Sequence, residues 1–295
     1  DYLKIGEHLS GARPLGSLAV IPDQLRAHQL ESIDGYVTDP TLSQLATYCD
    51  TQTLSTLKGS RRGNNKYLLH EHLESKGLPI FDTVMAERPA NVLTALQTLR
   101  TKGYRRAVIK SQVGASGIGI KQLPTEEPSP EVPELLFYEG PCMVQGWLEA
   151  GHAGITSIHS PSVQLYLDES QGVYLYDITE QILSHDSVHE GNVSPPPHLQ
   201  DDRHTLESLY HQAGIAGQWL YQQGYRGTAS VDFLVTLSED NRPPVAYICE
   251  INARVTGATY PSVLARHFMP EGAWLMRNLK LERPQPAQHV LDLLA

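Results

Sequence analysis

The sequence predicts an α+β protein, and three observations predict it. Two long alternating stretches, 155–167 and 173–183, meet at Gly172 and suggest an antiparallel strand pair. Helical periodicity marks 66–76, 91–102, 202–223 and 259–268. A glycine-rich turn at 111–119 joins two short strands, where a Walker A loop or a Rossmann turn would open a helix.

The composition sets the frame. The chain has 295 residues, 40% hydrophobic and 19% charged, enough for about two domains at roughly 150 residues each. Acidic residues outnumber basic ones by 33 to 23, a net charge of -10. This argues against a nucleic-acid binder, which presents a basic surface. It leaves room for an anionic small ligand held by a few local cations or a metal. No window approaches the roughly 18 apolar residues of a membrane span, and no secretory signal opens the chain. Cys49, Cys142 and Cys249 lie far apart without CxxC spacing, so neither a disulfide framework nor a cysteine zinc site is expected. The reading is a reduced, cytoplasmic protein without membrane or nucleic-acid partners. The chain starts at Asp1 without Met, as a trimmed or assembled sequence does.

The elements follow in order. Residues 17–22 read as a short strand, and 39–50 as a helix beginning after Pro40. The polar 56–65 stretch reads as a linker. Residues 66–76 form a helix with Leu68, Leu69 and Leu73 on one face, stopped by Gly77. Residues 78–81 read as a strand. The next helix, 91–102, has Asn91 as its N-cap. Arg106–Lys110 is a strand, 118–123 its return, 124–133 a proline-containing loop and 142–148 a further strand. Residues 185–200 are polar, end in three prolines and read as an exposed loop. The longest helix, 202–223, leads to strands 228–235 and 245–255, and then to helix 259–268.

The strongest constellation lies on those last two strands. Side chains alternate faces along a strand. In 245–255, Val245, Tyr247, Cys249, Ile251, Ala253 and Val255 form one face, expected in the core. Ala246, Ile248, Glu250, Asn252 and Arg254 form the other. On the preceding strand Asp232 opposes the apolar Val231 and Phe233. If the strands pair, two carboxylates, a carboxamide and a guanidinium share one patch. Such hard oxygen ligands suit Mg²⁺, and Arg254 could hold a phosphoryl group bidentately. Alone, the pattern would more readily be a solvated ion pair on an exposed sheet face. The apolar flanks favour a buried strand and hence a site.

Lys110 ends the strand that enters the glycine turn. Gly114, Gly117 and Gly119 permit close backbone approach, and successive N–H groups there can cradle phosphate. Lys66 opens the 66–76 helix, and taken alone it is a surface lysine.

The order of these parts resembles the ATP-grasp superfamily over roughly residues 61–270. That resemblance implies two α+β subdomains gripping ATP between antiparallel sheets. The expected divisions are an N-terminal segment (1–60, remnant of a preceding domain), a small subdomain with the glycine flap (61–140) and a large subdomain with the metal site (141–295). Lys66 and Lys110 would contact nucleotide phosphates, and Ser116 and Gly117 would cover them. Gln145, Trp147 and Leu148 would line the adenine pocket, the last two through backbone groups, with Glu149 on the ribose. Asp232, Glu250 and Asn252 would hold Mg²⁺. Arg254 would stabilise the phosphoryl group and the tetrahedral intermediate. Two departures stand out: Gln145 replaces a common Glu, and 151–155 lacks the acidic residue often found after the hinge. The Glu250–Gly257 run is similar to peptide ligases of the pheganomycin-pathway type.

The implied reaction is ATP-dependent joining of a small carboxylate and an amine (amino acid or peptide) through an acylphosphate, with a homodimer as the suggested assembly. Gln181, His189 and Asn192, in or beside the 185–197 segment, are candidate substrate contacts. His185 and His189 are a weaker metal candidate. Two rivals are an ATP-binding regulatory module without turnover and phosphoryl transfer to a non-amine acceptor. No Gly-x-Ser-x-Gly supports a serine hydrolase.

Overall fold

The computed structural model describes residues 30–114, 119–184, 188–239 and 242–278, with Arg283 and Asp292. The expected 17–22 strand, Ser116, Gly117 and His185 lie outside the described residues. No helix among the described residues is long and apolar enough to cross a membrane. Cys49, Cys142 and Cys249 are free thiols.

A two-stranded parallel pair, β1 (Ser32–Ile33) and β2 (Gln52–Thr53), flanks α1 (Pro40–Tyr48). Pro40 opens α1, and the Asp39 side chain caps it by accepting from Leu42 N. The expected linker at 56–65 is largely helical instead: α2 spans Leu57–Gly63. Thr56 caps it through Gly59 N at 2.9 Å. A side chain on Gly59 would place Cβ 2.5 Å from the Gly224 carbonyl carbon, so glycine permits this close approach. Glycine content, read as loop chemistry, here serves helix packing.

Helix α3 (Lys66–Ser75) is capped by Asn65, whose side chain accepts from Leu68 N. The strand expected at 78–81 forms later, as β3 (Thr83–Ala86), while Phe81 is buried ahead of it. Pro89–Asn91 makes a 3-10 turn into α4 (Val92–Thr101), and the Asn91 side chain makes no cap hydrogen bond. Strands β4 (Arg106–Lys110), β5 (Ile120–Pro124) and β6 (Cys142–Gly146) complete a four-stranded sheet with order β3-β6-β4-β5. Val92, Ala95, Leu96 and Leu99 of α4 pack on Ala107, Ile109 and Val144. This sheet continues past the expected boundary at 140, because β6 supplies its centre.

The larger sheet has seven strands: β7 (Ile155–His159), β8 (Pro161–Asp168), β9 (Gly172–Leu183), β10 (His189–Ser194), β11 (Gly227–Ser238), β12 (Val245–Asn252) and β13 (Trp274–Arg277). The expected 155–167 strand breaks at Ser160. β7 pairs with β11, whereas β8 lies between β9 and β11. The expected exposed loop at 185–200 contains β10, an interior strand between β9 and β13. Its buried positions include Asn192 and Ser194, so no hydrophobic alternation announced it.

Helix α5 (Arg203–Gln222) lies beneath this sheet, capped by Asp202. Leu209, Ala213, Ala216 and Leu220 form its buried stripe, with Leu69 and Leu73 of α3 in the same core. α6 (Thr259–Phe268) follows β12.

The expected faces of β12 change partway along. Asp232 pairs with Glu250, but Phe233 pairs with Ile248, so Cys249 is an extra residue in a β-bulge. Ala246 and Ile248 therefore join the core alongside Ile251 and Ala253, and Cys249 leaves it. Strict alternation placed Ala246 and Ile248 on the site face. The bulge reverses that while keeping Glu250 and Asn252 beside Asp232.

Candidate active site

One row of paired residues crosses four strands: Thr179 with Ser162, Ser162 with Asp232, and Asp232 with Glu250. Cross-strand partners share a face, so this row marks one surface of the larger sheet. Asn252 joins it opposite Ser230.

Asp232 is held from three sides. Ser162 Oγ donates to it at 2.7 Å, Ser230 Oγ at 3.2 Å and Asn252 Nδ2 at 2.9 Å. Burial, reinforced by the Glu250 charge, raises its carboxyl above the usual range. Asn252 is buried and turns its amide nitrogen to Asp232 and Ser230, which leaves its carbonyl oxygen for a ligand. Burial alone would raise Glu250 too. Lys66, with Arg254 and Lys110, overrides that and holds Glu250 below the usual range.

The two lysines come from different elements, a helix and a strand. Lys66 is the first residue of α3 and is 7% exposed. Its Nζ lies 2.9 Å from Glu250 Oε2 and donates to Gly114 O at 3.1 Å. A solvated surface lysine is thus excluded. Lys110, at the end of β4, has its pKa lowered by burial against the pull of Cys249 and Glu250. Its Nζ sits 5.5 Å from the Phe81 ring centroid. The two oxygen-bearing strands and two cations from α3 and β4 therefore face one cleft. Two carboxylates and a carboxamide carbonyl, all hard oxygens, fit Mg²⁺.

Arg254 follows β12, and its Nη1 donates to Asn64 Oδ1 at 2.8 Å. Asn64 also accepts from Ala253 N at 3.1 Å and donates to Ala253 O at 3.2 Å. Its amide thus grips the backbone next to Arg254 while orienting the guanidinium. Sequence reasoning missed Asn64 because its segment read as a linker. Ser162 was also missed, although Ser162 and Gln164 alternate with apolar residues on β8.

Gln145 is buried in β6 and donates to Thr83 Oγ1 at 3.0 Å. The Trp147 N–H donates to Arg106 O at 3.0 Å, so only its carbonyl remains for a ligand. The Arg106 guanidinium stands 5.8 Å over the Trp147 ring and 4.0 Å from Glu149. Met143, Gln145, Phe81, Ile248 and Cys249 line a narrow crevice beside Lys66.

Gln181 pairs with Asn192 across β9 and β10. Buried Asn192 accepts from Thr179 Oγ1 at 3.3 Å and lies 2.8 Å from His189 Nε2. Burial lowers the His189 pKa, so the ring is neutral at pH 7 and Nε2 accepts from Asn192. Further along the same face, Asp177 accepts from Arg266 at 2.9 Å, Ser194 at 2.8 Å and Trp274 Nε1 at 3.0 Å. His185 lies outside the described residues, and so the expected His185–His189 metal pair is not described.

No protein-family model matches the chain. It is 28% identical over 203 residues to a [Butirosin acyl-carrier protein]–L-glutamate ligase of Niallia circulans, covering 68% of this chain and 45% of that relative. The chain thus spans under half that relative's length. Among solved structures, biotin carboxylase from Campylobacter jejuni superposes with a TM-score of 0.62 at 14% identity, over 84% of this chain and 54% of that one. N5-carboxyaminoimidazole synthetase from Staphylococcus aureus gives 0.54 at 15%, over 82% and 59%. Rhizobium etli pyruvate carboxylase gives 0.62 at 16%, over 87% and 22%. These likenesses show the fold, which is α+β and of the ATP-grasp type.

Proposed function

We propose that this chain is an ATP-dependent carboxylate–amine ligase that forms an amide through an acylphosphate and releases ADP and phosphate. The observation that carries the reading is the convergence of Asp232, Glu250 and Asn252 on one face with Lys66 against Glu250. The named relative, a ligase, supports it.

Carboxylates do not acylate amines directly, because the leaving group is poor. Transfer of the γ-phosphoryl group from ATP to the carboxylate converts that oxygen into a leaving group. Asp232, Glu250 and the Asn252 carbonyl would hold Mg²⁺, which supplies charge neutralisation on the phosphates. Lys66, released from Glu250, and Lys110 contact phosphate oxygens and offset charge developing in transfer. No side-chain nucleophile is required, since phosphoryl transfer rests on positioning and electrostatics. Arg254, oriented by Asn64, binds the phosphoryl oxygens and then the tetrahedral centre as the amine attacks. Gln145 and the Trp147 carbonyl orient the adenine, and Glu149 the ribose. Gln181, His189 and Asn192 face the acceptor end of the sheet. The two lobes exclude water from the acylphosphate.

A second reading has its own observation. The relative joins L-glutamate to an acyl-carrier protein, so a carrier protein is the alternative acceptor. The test is ADP release with Mg²⁺-ATP against a panel of amino acids, peptides and small carboxylates, each with amine or carrier protein. The ligase reading expects ADP only with a particular acid and acceptor, lost in Lys110→Ala. ADP formed equally without any acceptor would sink it.

A further inference from the structure

Beneath the sheet, away from Asp232, three side chains of metal-ligating type converge. His159 ends β7, Glu180 lies in β9, and His198 sits in the 3-10 turn Pro197–Leu199 ahead of α5. Their donor atoms all lie within 4.8 Å of one another. The register sets them on the far face. Thr179 belongs to the Asp232 row, so the next residue, Glu180, points the other way.

The arrangement brings donor atoms close together. Ser160 N–H fixes Glu180 through Oε1 at 2.7 Å and leaves Oε2 directed at the imidazoles. His198 Nδ1 stands 3.5 Å from that Oε2, too long for a strong hydrogen bond. The His159 and His198 rings stack with centroids 3.9 Å apart and planes within 11° of parallel, so one imidazole turns about its Cβ–Cγ bond for both to reach a shared ion. Glu180 Oε2 and His198 Nε2 are buried without a hydrogen-bond partner among the described residues. Buried polar atoms are nearly always satisfied, and a bound ion is one way to satisfy such a set. Asp202 adds negative potential near His198 while its own oxygens accept from Thr205.

We propose that His159, Glu180 and His198 form a binding site for one zinc-class divalent transition ion, separate from the Asp232–Glu250–Asn252 oxygen set. Ligand chemistry fixes the class. Two imidazoles and a carboxylate suit Zn²⁺ and its neighbours, whereas Mg²⁺ takes oxygen donors. Three protein ligands leave a position for water. β7 is tied to the sheet only through its pairing with β11 among the described strands. An ion here joins the end of β7 to β9 and to the turn that launches α5.

The test uses untagged protein, stripped with chelator and titrated with Zn²⁺ and, separately, Co²⁺. The expected result is one Zn²⁺ per chain at micromolar concentration, unaffected by millimolar Mg²⁺. Co²⁺ should give visible absorption bands of a nitrogen–oxygen site, and Zn²⁺ should raise Tm by several degrees. Glu180→Gln and His198→Ala should each weaken Zn²⁺ binding at least ~10-fold. Where a variant fails to fold, the wild-type Co²⁺ spectrum and the Zn²⁺-dependent rise in Tm decide. Absence of stoichiometric Zn²⁺ binding, or equal binding by folded variants, overturns the proposal.

Discussion

Lys66 Nζ lies 2.9 Å from Glu250 Oε2, so the first residue of α3 neutralises a carboxylate on β12. The lysine is an internal counter-ion that a metal and a phosphate would together displace. Lys66→Met should reduce kcat/KM for ATP by about 10²-fold or more, the scale of losing one charge-stabilising donor. Steady-state kinetics measures this. A loss under about threefold would place Lys66 outside the phosphate site.

Asn64 is predicted to act through Arg254. Asn64→Ala removes the acceptor for Arg254 Nη1 and both contacts to the Ala253 backbone. Leaving those groups unpaired should cost about 1–3 kcal/mol of stability. The kinetic signature is a fall in kcat greater than any rise in KM for ATP. Asn64→Asp keeps the acceptor oxygen and should recover part of kcat. Equal kcat in the alanine and aspartate variants would argue against orientation.

Most helices and the pairing of Asp232 with Glu250 were legible in the sequence, because periodicity and alternation report burial directly. Three features were not. The bulge at Cys249 adds one residue and shifts the face of everything before it, which period-2 reasoning cannot see. β10 buries Asn192 and Ser194, so its buried face carries no hydrophobic signal. Gly59 and the polar residues of α2 imitate a linker, yet the glycine is there for contact with Gly224. Asn64 and the His159–Glu180–His198 cluster depend on such long-range placements. Of the expected site residues, the structure brings Lys66, Lys110, Asp232, Glu250 and Asn252 to one cleft, with Arg254 at its edge.

Gly59 supplies a stability prediction tied to the site. Ala at this position normally favours a helix, but here its Cβ meets the Gly224 and Tyr225 backbone at 2.5 and 2.6 Å. Gly59→Ala should destabilise by about 1–3 kcal/mol, as overpacking does, measured by urea unfolding. Because α2 carries Asn64 at its C-cap, turnover should fall with it. An unchanged unfolding midpoint would contradict the close packing.

Metal binding should depend on pH through Asp232. Burial and the Glu250 charge raise its carboxyl to about 6. A raised folded pKa contributes stability that is full below the unfolded value and lost as pH rises through about 6. Mg²⁺ requires the ionised carboxylate and reverses that loss. The Mg²⁺-dependent rise in Tm, measured with ADP present, should therefore be largest above pH 7 and shrink towards pH 5. Equal shifts at pH 5.5 and pH 8 would contradict the assignment of Asp232 as a ligand.

The central claim is that a carboxylate oxygen leaves on phosphate. Once the substrate panel names an acid, that acid labelled with ¹⁸O in its carboxylate is the direct probe. Phosphate released in the full reaction is then examined by ³¹P NMR. The account predicts one ¹⁸O transferred into phosphate per amide formed, abolished in Glu250→Ala. Product formation with unlabelled phosphate would contradict it, because no acylphosphate would then have formed.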